Sequence, residues 1–168
     1  TAGDDFTVNG VETIAVTATG TLNDINIDGD NLATVTVAGA GDISIDVDAS
    51  VTTFNASANT GGTTMVATAA AAVTATGGAG ADVFTLGTTL TVADTIDGGD
   101  GTDTLGVTGA GGAVIPASAV VSNVETLSVT TGGADTLDAN IVTFNTVTVT
   151  AAANAHTIAI TDVNSETI

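Results

Sequence analysis

Short runs in which Val, Ile and Thr alternate with polar residues recur along the whole chain. They are VETIAV (11–16), NDINID (23–28), LATVTV (32–37), DISIDV (42–47), VTTFNA (51–56), TTMVAT (63–68), AVTAT (72–76), DVFTL (82–86), LTVADTI (90–96), DTLGV (103–107), VETLSV (124–129), FNTVTV (144–149) and HTIAI (156–160). Alternation at period 2, bounded by Gly, Asn or Asp, is the pattern of half-buried strands. No helical period survives beyond a turn or two, so the pattern predicts an all-β protein.

Strands this evenly spaced leave a sandwich, a barrel or a solenoid, and internal repetition favours the solenoid. VNGVETIAVT (8–17) returns as VSNVETLSVT (121–130), and Thr-Phe-Asn at 53–55 returns at 143–145. The expected fold is a parallel β-solenoid or β-roll, with a β-sandwich as the alternative. Phe54, Phe84 and Phe144 lie on a 30-residue grid, which suits three strands per coil. A second spacing, the 21 residues between two glycine-rich stretches, suits two. One segment departs from the pattern. GAGGAVIPASAVVSN (109–123) holds the single proline, and Pro116 suits a first helical position. A short helical insertion over 115–123 and an extended loop fit these residues equally.

Composition sharpens the picture. The 168 residues include 19 acids, no Lys or Arg and one His, for a formal net charge of −19. Nucleic acid and anionic membrane surfaces are excluded as partners, because both are gripped by Lys and Arg. Apolar residues make up 43% of the chain, enough to bury a core, so disorder is the weaker reading. They are mostly small and branched, with only 4 Phe and no Trp or Tyr, which suits a thin, repetitive core. With no cysteine there is no disulfide framework. No apolar run is long enough for a membrane span. The chain opens on TAGDD with no secretion signal, and reads as a single solenoid segment, 1–168, of a larger protein.

Candidate chemistry centres on two stretches, Gly77-Gly78-Ala79-Gly80-Ala81-Asp82-Val83-Phe84 and Gly98-Gly99-Asp100-Gly101-Thr102-Asp103-Thr104-Leu105. Each spells Gly-Gly-x-Gly-x-Asp-x-apolar. Glycines permit tight turns that aim carbonyl oxygens at one point, and the Asp adds a carboxylate. Ca²⁺ favours such mixed oxygen ligands. One loop offers half a shell, and a stacked copy completes it, placing an ion between turns. Asp103 matches Asp82, while Asp100 and Asp97 are additional carboxylates. The alternative is a pair of ordinary glycine turns with solvated acids.

The pair resembles the nonapeptide repeats of RTX proteins, which leave Gram-negative bacteria by type I export and fold on calcium outside the cell. GGAGADVF, ADTIDGGDGTDTL and VSNVETLSV are most similar to surface-layer (S-layer) proteins and large adhesins of that group. The strict motif covers only 77–105. By position, the resemblance implies Ca²⁺ ligands at Asp82 and Asp103, with backbone carbonyls from Gly78, Gly80, Gly99 and Gly101. Two copies, rather than a long array, imply a local roll inside a more varied solenoid. The resemblance also implies an extracellular, cell-surface protein that assembles with other copies or domains of itself. Any lipopolysaccharide anchoring would run through regions outside this segment.

Weaker candidates are degenerate copies: TGGADTLDAN (131–140), with Asp135 as ligand and Asp138 nearby; AGAGDISIDVD (38–48), around Asp42; and TAGDDF, with Asp5. An Asp-capped turn is the plainer reading of each. In NDINIDGDN, period-2 geometry turns Asp24 and Asp28 outward and Ile25 and Ile27 inward. Asp46 and Asp48 alternate likewise with Ile45 and Val47. Stacked rows of like charge are unfavourable without a cation, which makes Asp28 and Asp30 secondary Ca²⁺ candidates. Glu12 and Glu125 face outward or bond a neighbouring loop. His156 has no Cys or second His for a zinc shell, and there is no aromatic platform for a substrate, so no enzyme is expected.

Neutralising 19 charges takes about ten divalent ions, and cations would turn self-repulsion into cross-links. Without Lys or Arg the chain also offers no trypsin-type cleavage site, as suits permanent exposure outside cells. The expected function is structural: a calcium-binding segment of a secreted surface-layer or extracellular filament protein. The alternatives are an RTX adhesin repeat region and a calcium-binding accessory domain of a secreted hydrolase.

Overall fold

A computed structural model describes residues 4–20, 23–67, 72–88, 90–109, 112–113, 120–132, 135–138, 144–151 and 158–161. Among them the regular structure is entirely β. The strands are β1 (Asp4–Thr7), β2 (Thr13–Ala18), β3 (Asn23–Asp28), β4 (Thr34–Gly39), β5 (Ile43–Val47), β6 (Thr53–Asn59), β7 (Thr63–Ala67), β8 (Thr74–Thr76), β9 (Val83–Gly87), β10 (Thr95–Asp97), β11 (Thr104–Thr108), β12 (Gly112–Ala113), β13 (Val120–Ser122), β14 (Thr126–Thr131), β15 (Asp135–Asp138), β16 (Thr146–Ala151) and β17 (Ile158–Thr161).

Up to β11, consecutive strands pass alternately to two sheets. Odd-numbered strands build the first sheet, ordered β1-β3-β5-β7-β9-β11-β14-β16, and even-numbered ones the second, β2-β4-β6-β8-β10-β13. All recorded pairings are parallel, so the chain is a parallel β-solenoid and the sandwich alternative falls. Up to β9, each strand pairs with the one two ahead of it. The regular coil is therefore two strands and two corners.

The alternating apolar residues become inward rows. In the first sheet Ile25, Ile45, Met65, Phe84, Leu105, Leu127 and Val147 lie in register. In the second, Ile14, Val35, Phe54, Ala75, Ile96 and Val121 do the same. The middle of both rows is sealed: Val35, Phe54, Ala75, Ile96, Ile45, Met65, Leu105 and Leu127 are each 0% exposed. Burial of branched side chains in rows lets a thin core close without aromatic bulk.

Coil geometry corrects the 30-residue grid. Phe54 belongs to the second sheet and Phe84 to the first, so their spacing is one and a half coils and not a repeat. A third sheet, β12-β15-β17, begins only after β11. There β11, β12 and β13 give one coil a third strand, and the second sheet ends. Of the expected insertion over 115–123, residues 115–119 lie outside the described residues. The remainder is extended and not helical: Val120–Ser122 pairs with Thr95–Asp97. Pro116 and His156 also lie outside the described residues.

Candidate functional site

At the corner leading from the second sheet into the first, glycine-rich turns stack on one another from coil to coil. The stacking leaves no room for side chains. A Cβ on Gly78 would sit 2.0 Å from the Asn59 carbonyl oxygen, and one on Gly98 would sit 1.8 Å from that of Asn123. Gly99 and Gly101 in addition adopt φ of +93° and +130°, a region that L side chains avoid.

Beneath these turns runs a column of acids. Asp82, Asp103 and Glu125, continuing the position of Thr63, each stand one residue before a strand position of the same register. Asp82 and Asp103 are both 0% exposed. Asp82 Oδ1 accepts the Thr63 N–H of the preceding coil at 2.6 Å, and its Oδ2 accepts the Gly78 N–H at 2.6 Å. Asp103 Oδ1 accepts the Asp82 N–H at 2.7 Å. Glu125 Oε2 accepts the Asp103 N–H at 2.8 Å. Each acid thus ties its own coil to the one before it. Asp103 Oδ2 is buried with no hydrogen-bond partner.

The electrostatics follow from this burial. Desolvation raises the Asp82 pKa, opposed by the N–H groups of Gly78 and Thr63. Asp103 is pushed up to about 6, chiefly by burial and further by the charges of Asp82, Glu125 and Asp97, against the Asp82 N–H that lowers it. No lysine or arginine exists to offset either.

The structure places the remaining sequence candidates as follows. Asp97 Oδ1 accepts the Asn123 side-chain amide at 2.7 Å and the Gly99 N–H at 3.3 Å. Asp100 is exposed, and its N–H donates to the Gly78 carbonyl at 2.9 Å. The Gly80 carbonyl lies directly beneath Gly101, where a Cβ would come within 2.2 Å of it. Asp28 and Asp30 are exposed at the opposite corner. Asp28 follows Ile27 and Asp48 follows Val47, two paired residues, so the acids fall on neighbouring coils. Asp48 Oδ2 reaches the Gly29 N–H at 3.4 Å. On the outward face Asp46 lies near Asp24, and its pKa is raised by partial burial and by that charge. Asp42 Oδ1 accepts the Gly62 N–H at 2.8 Å beside a surface depression of about 290 Å³ lined also by Ile43, Thr64 and Ala81. Asp135 opens β15 opposite Gly112 and Ile158, and its side chain lies outside what is described.

Buried polar residues outside the sequence candidates include Asp94 and Asn59. Asp94, 1% exposed, repeats the inter-coil bond at the opposite corner: Oδ1 accepts the Val73 N–H at 2.7 Å and Oδ2 the Thr91 N–H at 2.5 Å. Asn59, 0% exposed, donates its side-chain amide to the carbonyls of Gly41 and Gly61 and to Thr63 Oγ1, leaving its own Oδ1 unpartnered. A signal for Asp94 was present, since ADTI repeats the Asp-x-apolar step of ADVF and TDTL.

As a metal centre the corner is tested by its donors. Asp82 has both oxygens engaged by N–H groups, and the Gly78 carbonyl is engaged by Asp100. Among the described residues no three His, Asp or Glu side chains gather where they could hold a metal. Asp82 therefore offers no free oxygen to an ion and Asp103 offers Oδ2 alone, short of the roughly six to eight oxygens that Ca²⁺ takes. No family model, no curated protein and no solved structure matches the chain.

Proposed function

We propose that this chain is a structural, non-catalytic solenoid segment of a secreted surface-layer or extracellular filament protein, stabilised by Ca²⁺ at its exposed acids. One observation carries the reading: acids recur on adjacent coils in a chain that has no Lys or Arg. Asp28 and Asp48 set like charges about one strand spacing apart, and Asp24 and Asp46 face each other on the diagonal, opposite Ser44 and Asn26, where they repel unless a cation intervenes. Exposed Asp28, Asp30 and Asp100, with half-buried Asp97, are the acids that would meet calcium. Held by few carboxylates, the ions would bind weakly, in the range of about 10⁻⁴–10⁻³ M typical of extracellular modules. The rigid parallel stack suits load-bearing and self-association, and the resemblance to surface-layer proteins points the same way.

The test is a calcium titration of the chain, read by thermal melting in far-UV circular dichroism and by sedimentation. The melting temperature is expected to rise over about 0.1–10 mM calcium, bracketing that affinity, and larger assemblies to form. An equal rise with Mg²⁺ would overturn calcium specificity, and no rise with either ion would overturn the cation's role.

A further inference from the structure

The groups surrounding the corner acids are donors. Thr63 and Gly78 aim N–H groups at Asp82, and Asp82 aims its own at Asp103. A cation at Asp82 would have to displace buried N–H groups from both oxygens, at a cost for each, whereas at Asp103 it would meet only Oδ2, a single free oxygen. An independent observation comes from the opposite corner. Asp94 binds the N–H of the preceding coil in the same way, with no glycine-rich motif around it. Tying a coil to its predecessor by a carboxylate is thus how this fold closes its corners, with or without the motif.

We propose that the buried acids of the two glycine-rich copies form an ion-free staple, in which Asp82 and Asp103, with Glu125, hold successive coils together through corner N–H groups while calcium binds at the exposed acids. This deepens the calcium reading above by naming the acids that stay outside it. The two acids differ in a way that makes the staple testable. Asp82 uses both oxygens, whereas Asp103 uses Oδ1 alone and buries Oδ2 without a partner. An Asn at 103 keeps the one acceptor in use and removes a buried charge. An Asn at 82 must turn an NH₂ toward an N–H.

The experiment compares wild type, Asp82→Asn and Asp103→Asn by calcium calorimetry and by melting, in calcium and after chelation. The staple predicts unchanged ion stoichiometry and affinity in both variants. It further predicts that D103N melts at or above the wild-type temperature, and that D82N melts roughly 3–10 °C lower. Loss of a bound ion in D103N, with a lower melting temperature in calcium, would overturn it. Should D82N fail to fold in both buffers, D103N alone decides. If wild type binds no calcium at all, the proposed function fails, and the D103N melt still tests the staple.

Discussion

Asp94 offers the cleanest measure of what a corner carboxylate contributes, because no other acid of the column surrounds it. Asp94→Ala removes the acceptor of the Val73 N–H and of the Thr91 N–H. Val73 is 3% exposed, so its amide is left buried and unpaired, at a cost of about 1–3 kcal/mol. Thr91 is half-buried and recovers water, so its loss costs under about 1 kcal/mol. Relief from burying a carboxylate offsets part of both. A net destabilisation of about 1–3 kcal/mol lowers the melting temperature of a chain this size by roughly 2–12 °C. Asp94→Asn retains one acceptor and should lose about half as much. The exposed Asp100→Ala serves as control, within about 0.5 kcal/mol of wild type. Melting and denaturant titration measure the total, and amide exchange at Val73 locates it. If D94A matched D100A, and Val73 exchanged at its wild-type rate, the corner bonds would hold nothing and the reasoning would be refuted.

Phe84→Ala, between Met65 and Leu105 and 1% exposed, should cost about 3–5 kcal/mol and lower the melting temperature by roughly 6–20 °C; a loss below 1 kcal/mol would mean the inward row does not bear the core. Stability should also depend on pH through Asp103. Its folded pKa of about 6 exceeds the ordinary value of 3.8, so the folded state binds the extra proton between those values. Stability therefore falls as pH rises from about 4 through about 6, a slope visible in melts across that window and flattened in D103N. A melting temperature that rises across the window in wild type would show that Asp103 ionises freely.

Strands were legible because Thr, Ile and Val alternate with little interruption, and NDINID (23–28) is β3 to the residue. The number of strands per coil was not, because identical phrases serve different sheets. VNGVET leads into β2 of the second sheet and VSNVET into β14 of the first. What the phrase encodes is a corner: Gly10 and Asn123 both take positive φ, 77° and 51°. The carbonyls of Glu12 and Glu125 then each accept two N–H groups from the next coil. The importance of Asp82 and Asp103 was visible in their spacing. Their partners were not, because a backbone N–H some 19–21 residues away leaves no mark in the side-chain sequence. Glu125 bonded a neighbouring loop, one of the two roles its position suggested.

The inter-coil carboxylate bonds have a direction. Asp48, Asp82, Asp94, Asp103 and Glu125 accept backbone N–H groups of the preceding coil; Asp42 accepts one from the following coil, and Asp5 and Asp97 take the side-chain amides of Asn26 and Asn123 there. A newly added turn therefore brings the group that satisfies the turn already laid down. A chain emerging from its amino-terminal side would close like a zipper whose slider follows synthesis, each tooth locked by the next, and stopping it early would leave the last corner unsealed.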